Sequence, residues 1–119
     1  MKTLDEKIAE ARAKINKNWR PKLEIVESIQ AAAIAVFDVD KVDFFNGCRH
    51  RPVSYARMVS MALCRARTSL TPEEIALLHG GLDRSNVYHA AWKVKNGKAL
   101  LTAGAQEVAR ILQSDQQSN

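Results

Sequence analysis

Apolar positions recur along this chain at the three- and four-residue spacing of amphipathic helices. Leu4, Ile8, Ala11 and Ile15 fall on one stripe, with Lys and Glu on the other face, which predicts a helix over Leu4–Asn18. Asn18-Trp19-Arg20-Pro21 breaks it, because a residue before proline avoids the helical region, and Pro21 suits the first turn of the next helix. A second stripe of Leu23, Val26, Ile29 and Ala33, widened by Ile25, Ala32 and Val36, predicts a helix over Lys22–Phe37. Asp38-Val39-Asp40 stops the chain and restarts it. Asp40 can cap a short turn over Lys41–Phe45, with Phe44 and Phe45 as core plugs.

Asn46 to Pro52 reads as a loop. Ser54 then serves as the N-cap of a helix to Arg67, with Met58, Met61, Ala62 and Cys64 inward and Arg57, Arg65 and Arg67 outside. Thr71-Pro72-Glu73-Glu74 is a strong helix start, combining a cap, a first-turn proline and a capping-box glutamate. That helix is short and ends at Gly80-Gly81. Asp83 or Ser85 caps another running to Val94, which Asn96-Gly97 closes. A last helix over Thr102–Gln113 precedes a polar, frayed tail. The expected fold is all-α: an N-terminal amphipathic helix over 1–20, a helix-turn-helix domain over 21–98, and a C-terminal helix with its tail over 99–119.

A length of 119 residues suits one core without metals or disulfides, and 46% apolar with 26% charged residues is ordinary for a globular protein. No apolar run approaches membrane-spanning length, and the charged N-terminus has no signal-peptide core, so the expected compartment is the cytoplasm. Cys48 and Cys64 fit a reducing compartment as free thiols. The net charge of +5 is unevenly placed. Residues 47–98 hold nine Lys/Arg against three Asp/Glu, whereas residues 1–46 hold eight of each. A concentrated basic segment is the footprint of a polyanion partner, although a solvated surface can carry the same surplus.

The segment from Thr71 to Val94 has the helix-turn-helix pattern. On its second helix Val87, Ala90, Ala91 and Val94 point inward, while Asn86, His89 and Lys93 share another face, flanked by Ser85 and Trp92, with Arg84 at the N-terminal end. Such side chains can read base edges where a helix fits the major groove. An ordinary surface helix has similar composition, so the pattern alone leaves both readings open. Arg49 and Arg51 stand two residues apart before a helix and could enter a minor groove. Arg57, Lys93, Lys95 and Lys98 are candidate phosphate contacts. Cys48-x-His50 and Cys64 lack the paired spacing of a zinc site, and no catalytic constellation stands out, so neither metal, cofactor nor enzymatic activity is expected.

Several stretches resemble the C-terminal DNA-binding domain of the bacterial chromosomal replication initiator DnaA. They are Ser28-Ile29-Gln30 with Val36-Phe37-Asp38-Val39, the basic stretch from Arg49 to Arg57, the helix from Arg57 to Leu63, and Gly80-Gly81-Leu82-Asp83-Arg84-Ser85-Asn86-Val87-Tyr88-His89-Ala90. The resemblance implies a helix-turn-helix bundle of the Trp-repressor and DnaA type and binding to double-stranded DNA. It places Arg49 and Arg51 in a minor-groove loop, Arg57 beside the phosphates, and Asp83, Ser85 and His89 on the base-reading helix. Leu82, Arg84 and the Ser85-Asn86 pair depart from the family pattern of arginine, histidine and two threonines, which implies a target other than the standard initiator box.

No G-x-x-x-x-G-K-[ST] stretch is present, so nucleotide binding is not expected. The functional expectation is a sequence-specific DNA-binding protein at the nucleoid, a transcription regulator of phage or mobile-element type. A replication factor that binds or competes for initiator-like sites is the first alternative, and an adaptor that has lost DNA contact is the second. The N-terminal helix either packs on the domain or offers a surface for a partner or a second copy.

Overall fold

The computed structural model describes residues 3–13, 20–97 and 99–117. Among them the chain forms seven helices and no strand: α1 (Leu4–Ala13), α2 (Arg20–Phe37), α3 (Lys41–Phe45), α4 (Arg51–Arg67), α5 (Pro72–Leu78), α6 (Arg84–Asn96) and α7 (Ala99–Gln117). Ile15, Asn18 and Trp19, expected at the end of the first helix and the break after it, and Lys98, a candidate phosphate contact, lie outside the described residues.

Helix α4 is the centre of the bundle and packs on α2, α3, α5, α6 and α7. Its buried residues are Val53, Ala56, Arg57, Val59, Ser60, Met61 and Cys64. At 3.6 residues per turn these cover more than half its circumference, as a helix enclosed by neighbours requires. From α2 come Val26, Ile29, Ala32 and Ala33, from α3 Phe44 and Phe45, and from α7 Leu101, Val108 and Leu112. Phe44 is fully buried and meets Phe45 edge to face, with ring centroids 4.9 Å apart. Ile25, expected on the α2 stripe, is instead 42% exposed. Helix α1 lies against α5, with Leu4 packed on the core.

Local signals set several helix ends. Asp40 caps α3, its carboxylate accepting from the N–H groups of Val42 (2.8 Å) and Asp43 (3.3 Å). Thr71 and Glu74 form the capping box of α5 in both directions. Helix α4, however, starts earlier than Ser54: His50 is the N-cap and Arg51 the first helical residue. Pro52 explains the shift, since its fixed φ suits the first turn and its missing N–H falls where none is needed. Arg51 therefore leaves the loop for the helix. Helix α7 also begins earlier than expected, at Ala99, and continues through Gln117, so the tail to that point is helical. Thr102 is not near a cap; its hydroxyl donates to Val94 O (3.1 Å) and ties α7 to the end of α6. Gly104 sits where a Cβ would stand 2.3 Å from the Phe37 ring, so the absent side chain lets α7 close on α2.

Candidate nucleic-acid interface

The turn between α5 and α6 is held from three sides. Buried Gln30 on α2 donates from Nε2 to Leu78 O (2.9 Å), pairing a carbonyl that the end of α5 leaves free. His79, the C-cap of α5, is fully buried between α4 and α3. Its Nδ1 lies 2.8 Å from Ile75 O and its Nε2 2.6 Å from Ser60 Oγ. A carbonyl only accepts, so Nδ1 carries the proton and the serine hydroxyl donates to Nε2. Burial holds the imidazole down at about 4; the Ile75 hydrogen bond opposes this and the Arg57 charge adds to it. Gly80 follows at φ +100°, where a Cβ would lie 2.4 Å from Phe45 O, so only glycine fits both the conformation and the approach.

Helix α6 then leaves Asp83, its N-cap. Val87 and Ala90 are buried on the inward side, with Val94 packed on the core beside them. The opposite ridge carries Ser85, Tyr88, His89 and Trp92, all exposed. Tyr88 is 51% and Trp92 61% exposed. Asn86 and Lys93 lie together on one flank rather than on the crest, and Lys93 is half-buried. Arg84 lies on the other flank and pairs with Glu73 of α5 at 3.1 Å, both side chains exposed. Ser85 Oγ donates to the Asp83 carboxylate (3.2 Å), and the Asn86 amide donates to Asp83 O (3.2 Å). Arg65, from the last turn of α4, places its guanidinium 4.5 Å from the Tyr88 ring centre.

The basic loop is built on Arg57. This side chain, expected on the surface beside phosphates, is instead 6% exposed. Its Nε donates to Phe44 O (2.9 Å), and Nη2 donates to Asp43 O (3.2 Å) and Cys48 O (3.0 Å). The carbonyls at the end of α3 and in the loop need donors, and a planar guanidinium supplies several at once. Burial lowers its pKa from the ordinary value, with Cys48 opposing. Arg57 therefore anchors the loop. Arg49 remains exposed in the loop, and Arg51 is exposed on the first turn of α4. Phe37, Arg51, Pro52, Tyr55 and Leu100 line one cleft, which brings that turn beside the start of α7 and so toward the C-terminal end of α6. Lys95, near that end, is exposed.

Of the residues singled out in the sequence, Arg49, Arg51, Asp83, Arg84, Ser85, Asn86, His89 and Lys95 are thus exposed, and Lys93 half so. Tyr88 and Arg65 were missed as members of this surface, and Trp92 was given only a flanking place. The seven-residue spacing from Ser85 to Trp92 could have shown the crest, because two turns return a helix to nearly the same side. Among the described residues no group of three His, Cys, Asp or Glu side chains could hold a metal ion, and no helix is long and apolar enough to cross a membrane.

The family model described as bacterial dnaA protein helix-turn-helix matches residues 26–94, from within α2 to within α6. Chromosomal replication initiator protein DnaA of Sphingopyxis alaskensis is 35% identical over 115 residues, covering 93% of this chain and 24% of that protein. The same protein of Mesorhizobium japonicum is 29% identical over 113 residues, covering 93% and 23%. That of Bartonella quintana is 31% identical over 91 residues, covering 76% and 18%. The chain thus spans no more than about a quarter of the length of these relatives. No solved structure matches it significantly. The capped α5, the glycine turn and all but the last two residues of α6 fall within the matched stretch, and the chain belongs to the bacterial DnaA helix-turn-helix family.

Proposed function

We propose that this domain binds double-stranded DNA sequence-specifically, with α6 in the major groove and Arg49 in the adjacent minor groove. The observation that carries this reading is the α5–turn–α6 unit. Its second helix buries only one side and presents an exposed ridge flanked by Arg65, Arg84, Lys93 and Lys95. An α-helix fits the major groove, and exposed cations beside it supply the phosphate contacts that fix its register. Arg49, exposed in the loop, and Arg51, exposed on the first turn of α4, add further charge. Each phosphate neutralised releases counterions, so affinity falls steeply with salt. Duplex binding measured by anisotropy over a range of salt concentrations tests this. A linear decline of log affinity with log salt is expected, and a flat titration would sink the reading and favour an adaptor role.

We infer further that the domain acts as a regulator of transcription on an operator of its own, of phage or mobile-element type. Leu82, Arg84, Ser85 and Asn86 support this, because they change the turn before α6 and the first residues of that helix relative to the family pattern. A role in replication, at sites like those of an initiator, is favoured by the relatives, which are replication initiators by name. Selection from random duplexes separates the two. An initiator-like box would favour replication, and an unrelated site beside a promoter would favour transcription. Either role places the protein at the nucleoid, and α1 offers a surface for a partner or a second copy.

A further inference from the structure

The crest of α6 is unusual for a helix meant to read polar base edges. Ser85, Tyr88, His89 and Trp92 follow the i, i+3, i+4, i+7 pattern by which the third helix of a homeodomain reads the major groove. Two of those four are large aromatic rings, more than half exposed, in a chain with only two tyrosines and two tryptophans. The ring faces and edges offer little to a hydrogen-bonding code. The apolar feature that base pairs present in the major groove is the 5-methyl group of thymine.

Resting on the reading of α6 as a major-groove helix, we propose that Tyr88 and Trp92 recognise thymine by apolar contact with its 5-methyl group, and that the target site carries a thymine facing each ring. The spacing fits. Residues four apart on one helix stand about 6 Å apart along its axis, close to the roughly 7 Å spanned by two base steps. Arg65 fixes Tyr88 from the α4 side, so that ring is held in place before any ligand arrives. The surroundings favour a polyanion over an apolar protein partner, because Arg65, Arg84, Lys93 and Lys95 border the two rings. Aromatic contact with a methyl group discriminates thymine from cytosine and from uracil, and His89, exposed beside the rings, is left to read a polar edge.

The test uses the whole chain and duplexes selected by it from a random pool. Each thymidine of the selected site is replaced in turn by deoxyuridine, which removes the methyl group and nothing else. Two positions are expected at which the replacement weakens binding roughly fourfold, the worth of one buried methyl. In Trp92→Ala one of those penalties disappears and in Tyr88→Ala the other, while circular dichroism shows the helices intact, as expected for exposed positions. Equal affinity for thymidine and deoxyuridine at every position overturns the proposal and leaves DNA binding standing, as do penalties that persist in both variants. Self-association lost in Trp92→Ala, with no deoxyuridine penalty, assigns the rings to a second copy and overturns it too. Failure to enrich or bind any duplex overturns the DNA-binding reading itself.

Discussion

The hydroxyl of Ser60, midway along α4, lies 2.6 Å from Nε2 of His79 at the end of α5, and both residues are fully buried. The first helix of the helix-turn-helix is therefore fixed to the central helix by a polar contact as well as by packing. The buried site favours the neutral imidazole, because the charged ring would lose its hydration there.

Acid should loosen this joint. The folded-state pKa of His79 is about 4, below the ordinary 6.5, so the unfolded chain binds the extra proton first. The associated stability is complete above about pH 6.5 and is lost as pH falls toward 4, by about 3 kcal/mol for this one group. Urea midpoints measured between pH 7.5 and 4.5 should fall accordingly. In His79→Gln the slope over that range should flatten, although stability at neutral pH drops. An unchanged slope would show that other groups set the acid limit.

Replacing Arg57 should cost folding stability as well as any DNA affinity. Arg57→Ala removes three hydrogen bonds to carbonyls and should destabilise by about 2–4 kcal/mol in denaturant unfolding. Arg57→Lys should recover only part, since an ammonium cannot match the fork of donors. By contrast, Arg49→Ala should leave stability within about 0.5 kcal/mol and reduce the salt slope of DNA binding by about one. Equal stability losses in the two alanine variants would contradict this division of labour.

The two turn glycines should respond differently to alanine. At Gly80 a Cβ meets Phe45 O at 2.4 Å, whereas at Gly81, φ +78°, nothing lies within 4 Å. Gly81→Ala carries only the left-handed backbone cost, about 1–2 kcal/mol. Gly80→Ala adds a backbone collision and should cost clearly more. Thermal unfolding of both variants decides, and equal losses would mean that α3 yields easily.

If Arg84 contacts DNA as proposed, Glu73 should compete for it. The pair is exposed, so breaking it should change stability by less than about 1 kcal/mol. Glu73→Gln frees the guanidinium and removes a negative charge beside the reading helix. Duplex affinity should rise a few-fold at low salt and converge on wild type at high salt. A weaker complex would instead give Glu73 an orienting role for Arg84.

Sequence reasoning reached those parts of the fold whose causes are local. Asp40 and the Thr71–Glu74 box cap helices through neighbours three or fewer residues away, and they were legible for that reason. Gly80 was legible as a turn but not as a contact, because Phe45 is far from it in sequence. Arg57 looked like a surface cation, since three carbonyls gathered from α3 and the loop exist only once the chain has folded. The crest of α6 was misplaced by about one residue's rotation. Its composition suggested Asn86 and Lys93, but the face it buries is set by α4 and α5, and that turned Tyr88 and Trp92 outward.

The pairing of α2 with α7 has a consequence for how the chain is made. Gly104 admits the Phe37 ring, and Leu101, Val108 and Leu112 complete a core that α2 begins. A ribosome delivers α2 long before α7, so the early helices emerge with part of their apolar surface uncovered. Although every element is helical and forms quickly by itself, the closing contacts span most of the sequence, and such contacts slow folding. Until α7 has left the exit tunnel, α6 is attached to an unfinished scaffold, and its outward face is held in place only once α7 has docked.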